Sequence, residues 1–459
     1  MMSIRKKLNG DSLRRLVSES WSNSWPMILI MFFEFLIGIT DIYIAGKIDK
    51  QVQAAYGFVI QLYFVFIIVA NALSTGTVSV VSRLFTAGDE EALRDSVYSS
   101  VIASAVSGAA LSLGGLFFTP LLIKLINIPE ELKTFIIPMG RVYAAGVLFH
   151  YIVINTNAIL RACKQVRSSL KTMSVVCAVN IALNFFIVFY TSLGYLGIAL
   201  STAIGVAVGC ALNVWYTRKF ISGAAKISLS YIKSILSIGW PFGMNQILWQ
   251  SHSMVLYLIL SMLPSNRIEI LAAFSAGLRI ESAVFLPAAA CHMANAVIVG
   301  NLIGADKKET AFHAGIITSM MALGIVGILT LTVIASAKFI APVLSNNPVV
   351  VAECVRYLYI SMLSEPFMAF WMVLGGALSG AGDTKSIMII STACTWFIRI
   401  PLCFLWIVIL GFDASSVWWT MNLSQFLTTV FIVKRYSGKK WLEPQAKGHL
   451  LPEATLTRN

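Results

Sequence analysis

Residues 21–47 read WSNSWPMILIMFFEFLIGITDIYIAGK, about 24 mostly apolar residues interrupted by two carboxylates, Glu34 and Asp41. A run of that length spans a bilayer. An acid near the middle of a span costs at least about 2.5–3.5 kcal/mol on insertion scales, so it is kept only where it faces a bundle interior or a watered cavity. Glu34 and Asp41 are seven residues apart, two helical turns, and so lie on nearly one face. Pro26 lacks an N–H and crowds the preceding turn, which marks a bend if it is inside the helix.

The rest of the chain has the same character. Its 459 residues are 58% hydrophobic and 12% charged, with a mean hydropathy of +0.80; soluble domains carry roughly 25% charged residues. The expected fold class is an all-α polytopic membrane protein. Its spans are expected near 22–46, 53–82, 96–126, 134–160, 169–190 and 196–217, then 234–262, 269–302, 311–342, 350–379, 386–410 and 415–433. The expected organisation is a basic amphipathic N-terminus at 1–20, a six-helix N-lobe at 21–217, a linker at 218–233, a six-helix C-lobe at 234–436 and a polar tail at 437–459.

Lys and Arg outnumber Asp and Glu by 34 to 21. In a soluble protein that excess would suggest nucleic acid; here its distribution matters more. With a cytoplasmic N-terminus, the even loops and the tail hold roughly 24 basic residues and the odd loops about eight, which predicts both termini on the cytoplasmic side of the inner membrane. The seven cysteines show no CxxC spacing and read as small helix-packing residues. His150, His252 and His292 lack the spacing of a metal site and read as hydrogen-bonded helix contacts. No cofactor is expected.

The polar stretch Arg218 to Lys233 falls at the midpoint and invites a search for repeats. A shift of 218 places Ala54-Ala55-Tyr56-Gly57 on Ala272-Ala273-Phe274-Ser275, the loop from Phe85 to Glu91 on Ile303 to Glu309, and Ile159-Leu160-Arg161 on Ala377-Leu378-Ser379. Trp25-Pro26 is answered by Trp240-Pro241 at a shift of 215. Six spans per repeat is an even number, so the two halves enter the membrane in the same orientation and are expected to flank a central cleft.

Four motifs carry a family resemblance: Arg279-Ile280-Glu281 followed by Pro287, the GADKKETA loop at 304–311, the turn from Leu378 to Thr384, and Arg399-Ile400-Pro401. Their order and spacing resemble the MATE family of multidrug and toxin extrusion transporters, from about residue 20 to 436. The resemblance implies a twelve-helix antiporter exporting amphipathic, often cationic, compounds against protons or sodium. It is nearer to the DinF-type and archaeal branch, in which an Asp on the first helix is central, a position matched by Asp41. That branch's fifth-helix Asn-x-x-x-Asp-Pro stands here as Asn180 to Phe185, with Asn184 for the Asp and Phe185 for the Pro. The other branch has acids on helices seven and ten, where this chain has Trp249, Gln250, His252 and Met368.

The expected ion-coupling set is therefore Asp41, Glu34, Asn180 and Asn184, coupled to protons, with sodium as the alternative. Asn180 and Asn184 lie one turn apart and can both reach a facing carboxyl. Gln250, His252, Arg279, Glu281, Glu365 and Arg399 are expected to line the cleft or bridge helices, with Arg399 bonding carbonyls freed by Pro401 and Glu365 the second-lobe acid. A lipid-linked saccharide flippase is the alternative function; it needs cations at membrane depth, and only Arg279 and Arg399 offer them. An enzyme is not expected, because the acidic loops at 89–91 and 306–309 are diluted by Lys or Arg and no nucleotide-binding glycine loop is present.

Overall fold

The computed structural model describes residues 10–125 and 128–443. Twelve long helices run through them: α1 Gly10–Ile48, α2 Lys50–Ala87, α3 Glu90–Leu125, α4 Glu130–Ala162, α5 Val166–Tyr190, α6 Leu196–Thr217, α7 Leu229–Ser261, α8 Arg267–Gly304, α9 Lys308–Leu344, α10 Pro348–Gly380, α11 Thr384–Ile409 and α12 Ser415–Ser437. Ten are long and apolar enough by composition to cross a membrane. The other two, α7 and α12, are more polar, carrying Asn245, Gln246, Gln250 and His252 or Asn422, Ser424 and Gln425. The twelve-span expectation holds, and the outward faces are apolar, as at Phe117, Ile328 and Phe397, 76, 68 and 78% exposed.

Local chemistry sets the helix ends. Asp49 caps α2 by accepting from the Gln51 N–H at 2.6 Å, and Gly88 ends it at φ +79°, a left-handed conformation that costs glycine little. Asn347 caps α10, with Pro348 at the position where a missing N–H is harmless. Within α11, Ala393–Arg399 and Leu405–Ile409 widen to π-helix on either side of Pro401, which cannot donate to the helical ladder.

The chain divides into two compact units, Leu29–Gly243 in one, and the chain up to Ile28 together with that from Met244 in the other. The divisions fall inside α1 and α7, two residues beyond Pro26 and Pro241. Pro26 is buried within the continuous α1. Gly10 to Ser20 form the first turns of α1 rather than a separate surface segment: Leu16 packs on Ile298, Ala314 and Ile317, and Thr318 Oγ1 donates to Ser20 Oγ at 2.9 Å. In the Leu29–Gly243 unit, the segment after α6 is strapped to α3, with the Lys226 N–H on Asp95 and the Ser228 N–H on Ser99 Oγ. There α7 crosses α2 so closely that a Cβ at Gly239 would lie 2.3 Å from the Ala72 carbonyl oxygen. Residues 1–9 of the expected N-terminus and 444–459 of the tail lie outside the described residues.

Each unit has its own apolar core, around Tyr56, Tyr143 and Tyr151 in one and Phe274, Tyr357 and Trp418 in the other. The sequence repeat is visible in the bonding. Thr77 Oγ1 donates to Asn155 Oδ1 at 2.8 Å; 218 positions further on, Asn295 Nδ2 donates to the Val373 carbonyl at 2.7 Å. All seven cysteines are free and buried.

Candidate functional site

Asp41 is 2% exposed. Asn184 Nδ2 on α5 donates to its Oδ1 at 2.6 Å, and Thr202 Oγ1 on α6 lies 3.3 Å from its Oδ2. Asn180 Nδ2 donates to Thr202 Oγ1 at 3.0 Å, so it reaches the acid through the threonine rather than directly. The Tyr56 hydroxyl on α2 also faces the carboxyl, and Tyr143 on α4 faces Tyr56 and Thr202. From there a polar column continues between α2 and α4: Tyr63 lies 5.1 Å from Tyr143 ring to ring, and its hydroxyl meets His150 Nδ1 at 2.6 Å. Tyr56 and Tyr63, like Tyr143 and His150, are seven residues apart, which stacks each pair on one helix face.

The ion pairs of the described residues do not include Asp41. Amide and hydroxyl donors satisfy a carboxylate's lone pairs without neutralising it.

The structure does not bring Glu34 to this cluster. It is exposed, and the charge nearest it in effect is Arg161 at the end of α4, itself 7% exposed. Tyr56 and Arg161 stand out in the sequence only as repeat positions, and Thr202 and Tyr143 not at all. A threonine in the small-residue run around Ser201-Thr202-Ala203 looks like a helix-packing residue, and no local signal sets it apart.

In the other unit, Tyr357 donates to Glu281 Oε1 at 2.6 Å. Arg399, 2% exposed, faces both Glu281 and Glu365, which is 5% exposed. Its Nε donates to Ser424 Oγ at 2.7 Å and its Nη1 lies 3.2 Å from His252 Nε2, with the Trp249 ring 5.8 Å away. Arg399 thus bonds side chains, where the sequence suggested carbonyls freed by Pro401. Arg279 and Gln250 are exposed and stand apart from this cluster. His292 Nδ1 meets the Met372 carbonyl at 2.8 Å, so all three scattered histidines serve as hydrogen-bonded contacts. The repeat relates the two clusters: Tyr63 beside Tyr143 corresponds to Glu281 beside Ser361.

Because one buried guanidinium acts on two carboxyls, the buried Glu365 and the half-buried Glu281, Arg399→Gln is expected to destabilise the protein by about 3 kcal/mol. Tyr357→Phe, which removes one hydrogen bond to a charged group, should cost about 1.5–3 kcal/mol at most. Thermal midpoints of the purified variants test the order, and an Arg399→Gln protein as stable as wild type would contradict it.

Comparison with known proteins agrees with this architecture. The MatE family model matches residues 26–186 and 241–405. Twelve helices with a sequence repeat of six make this a polytopic α-helical membrane protein, and the family that matches is one of transporters. The chain belongs to the MatE family, as its motifs suggested. It is 20% identical over 439 residues to the uncharacterized transporter YisQ of Bacillus subtilis, covering 92% of this chain and 94% of that one. It is 23% identical over 424 residues to the probable multidrug resistance protein NorM of Thermotoga maritima, covering 89% of each. Its fold is similar to that of the Vibrio cholerae MATE transporter VcmN in the bent form, with a TM-score of 0.87 at 19% identity, covering 94% of this chain and 99% of the other. A MOP superfamily transporter from Pyrococcus furiosus matches with a TM-score of 0.85 at 18% identity over the same shares.

Proposed function

We propose that this protein exports small amphipathic, often cationic, compounds in exchange for protons by alternating access, with Asp41 as the coupling group. The observation that carries the reading is a buried carboxylate held by Asn184 and Thr202 with no ion pair to it among the described residues. An ionised acid in such a setting is costly, and uptake of a proton or the approach of a cationic substrate relieves the cost. Binding of one is then exclusive of the other, which is the requirement for exchange. The names of relatives such as NorM support the substrate class.

Asn184 stands where the related branch has a second acid, so this cluster exchanges one proton per cycle. Each pH unit supplies about 1.36 kcal/mol per proton, and each 100 mV about 2.3 kcal/mol per charge, enough to sustain a substrate gradient of tenfold or more. The proposed topology places both termini in the cytoplasm of a cell with this protein in its inner membrane. An enzymatic reporter fused after Lys434 that was active only on the outer side would refute that orientation.

Efflux of a cationic dye from proteoliposomes, with pH and sodium gradients imposed separately, tests the function. Export driven by inward proton flow, and stopped when the pH gradient is inverted, is the expected result. Export that follows only the sodium gradient would replace the proton in the scheme. Glu34→Gln is expected to lower the rate by less than about threefold, since the side chain is exposed and lies outside the Asp41 cluster; a loss equal to that at Asp41 would put Glu34 in the coupling step.

A further inference from the structure

A groove that shares no residue with either polar cluster lies at the end of the bundle where α12 stops. It measures about 590 Å³ and runs between α11 and α12, within the roughly 300–1,000 Å³ range of small-molecule sites. Its wall is apolar, built by Ile389, Ile390, Ala393 and Phe431, and its rim is cationic, built by Lys434, Arg435 and Lys440. Ile389 and Phe431 are 52 and 43% exposed, so the wall is uncovered.

The rim is held in place rather than frayed. Lys439 adopts φ +56° and turns the chain back at the end of α12. The turn is fixed from three sides: Lys439 Nζ bonds Glu309 Oε1 at 2.7 Å, Trp441 Nε1 donates to the Tyr436 carbonyl at 2.7 Å, and Trp441 is 2% exposed. Lys440 is thereby returned to the groove beside Lys434. Arg435 already has its partner, since its Nε and Nη2 each lie 2.8 Å from Asp383 Oδ2. Lys434 and Lys440 have no ion-pair partner among the described residues.

From this juxtaposition we infer that the groove binds a phospholipid with an anionic headgroup, its phosphate held by Lys434 and Lys440 and an acyl chain laid along Ile389, Ala393 and Phe431. A free phosphate would use the rim and leave the wall uncovered, while a neutral lipid would use the wall and leave two lysines unanswered. Basic pockets between transmembrane helices take anionic headgroups for this reason.

Native mass spectrometry and thermal midpoints of the full-length protein, titrated with phosphatidylglycerol or phosphatidylcholine, test the inference. Wild type should retain phosphatidylglycerol and be stabilised by it, with little effect of phosphatidylcholine. Lys434→Gln with Lys440→Gln should weaken retention roughly 25-fold, at about fivefold per lysine near an anionic headgroup. Ala393→Trp, which fills the groove and leaves both charges, should weaken retention as strongly. The control Arg167→Gln with Lys171→Gln, two exposed positions on α5, should leave retention unchanged. Equal loss in the control would make the effect a bulk surface attraction and overturn the site, as would unchanged retention in either groove variant. Displacement of the lipid by millimolar inorganic phosphate alone would show an anion site without a lipid.

Discussion

Purified Asp41→Asn, reconstituted in vesicles, is expected to fold as wild type and to lose gradient-driven efflux by at least about 100-fold. The amide occupies the same volume and keeps one oxygen for the Asn184 N–H, which now lies 2.6 Å from Oδ1. What it loses is the ability to alternate between charged and neutral, and no other carboxyl stands in this cluster. Glu34 lies outside the cluster and Asn184 is an amide, so neither replaces the carboxyl at this position. A loss of 100-fold corresponds to about 2.7 kcal/mol, two factors of ten at 1.36 kcal/mol each. Wild-type transport by the folded variant would remove Asp41 from the mechanism and send the search to Glu281 and Glu365. Thr202→Val, by comparison, should slow transport and leave coupling intact, because Asn184 still holds the carboxyl.

The second large effect is structural. A Cβ on Gly376 would lie 2.2 Å from the His292 carbonyl oxygen, and one on Gly380 2.1 Å from that of Ala296. The two glycines are one turn apart on α10, and the two carbonyls one turn apart on α8, so the helices meet backbone to backbone along this line. In a bilayer, where lipid tails compete equally for apolar surface, close approach of small residues is a main source of helix association. Gly380→Leu cannot be absorbed by a rotamer change, since the obstacle is main chain. It should force the helices apart and cost at least about 3 kcal/mol, the upper end of overpacking penalties. Loss of the monodisperse peak in size-exclusion chromatography, or a thermal midpoint lowered by roughly 3 °C or more, is the expected readout. Gly324→Leu, at a position with nothing within 4 Å of a Cβ, is the matched control and should be tolerated. A stable Gly380→Leu protein would mean that α8 and α10 do not pack as described.

The sequence alone determined the class, the number of spans and the repeat, because hydrophobic length and periodicity are local properties that a bilayer reads directly. It also singled out Asp41 with Asn184, because an acid inside an apolar run is costly wherever the helix packs, and amides one turn apart on a facing helix are the groups that can meet it. Which groups complete each cluster was decided by tertiary structure. Glu34 and Asp41 share a helix face by spacing, yet one is exposed and the other 2% exposed. The helices that stand beside α1 at each height, and not the helix's own period, set that difference. Thr202 joins Asp41 from 161 positions away, and Arg399 meets Glu281 from 118 positions away. Nothing in the residues around Thr202 or Arg399 says which side chain they will face. The same holds for the groove at the end of α12: by sequence Lys434 closes the C-lobe and Lys440 falls in the polar tail, and only the turn at Lys439, held by Glu309 and Tyr436, sets both against an apolar wall from α11 and α12. Distant segments converge only once the helices have packed, and the electrostatics of each site follow from that convergence.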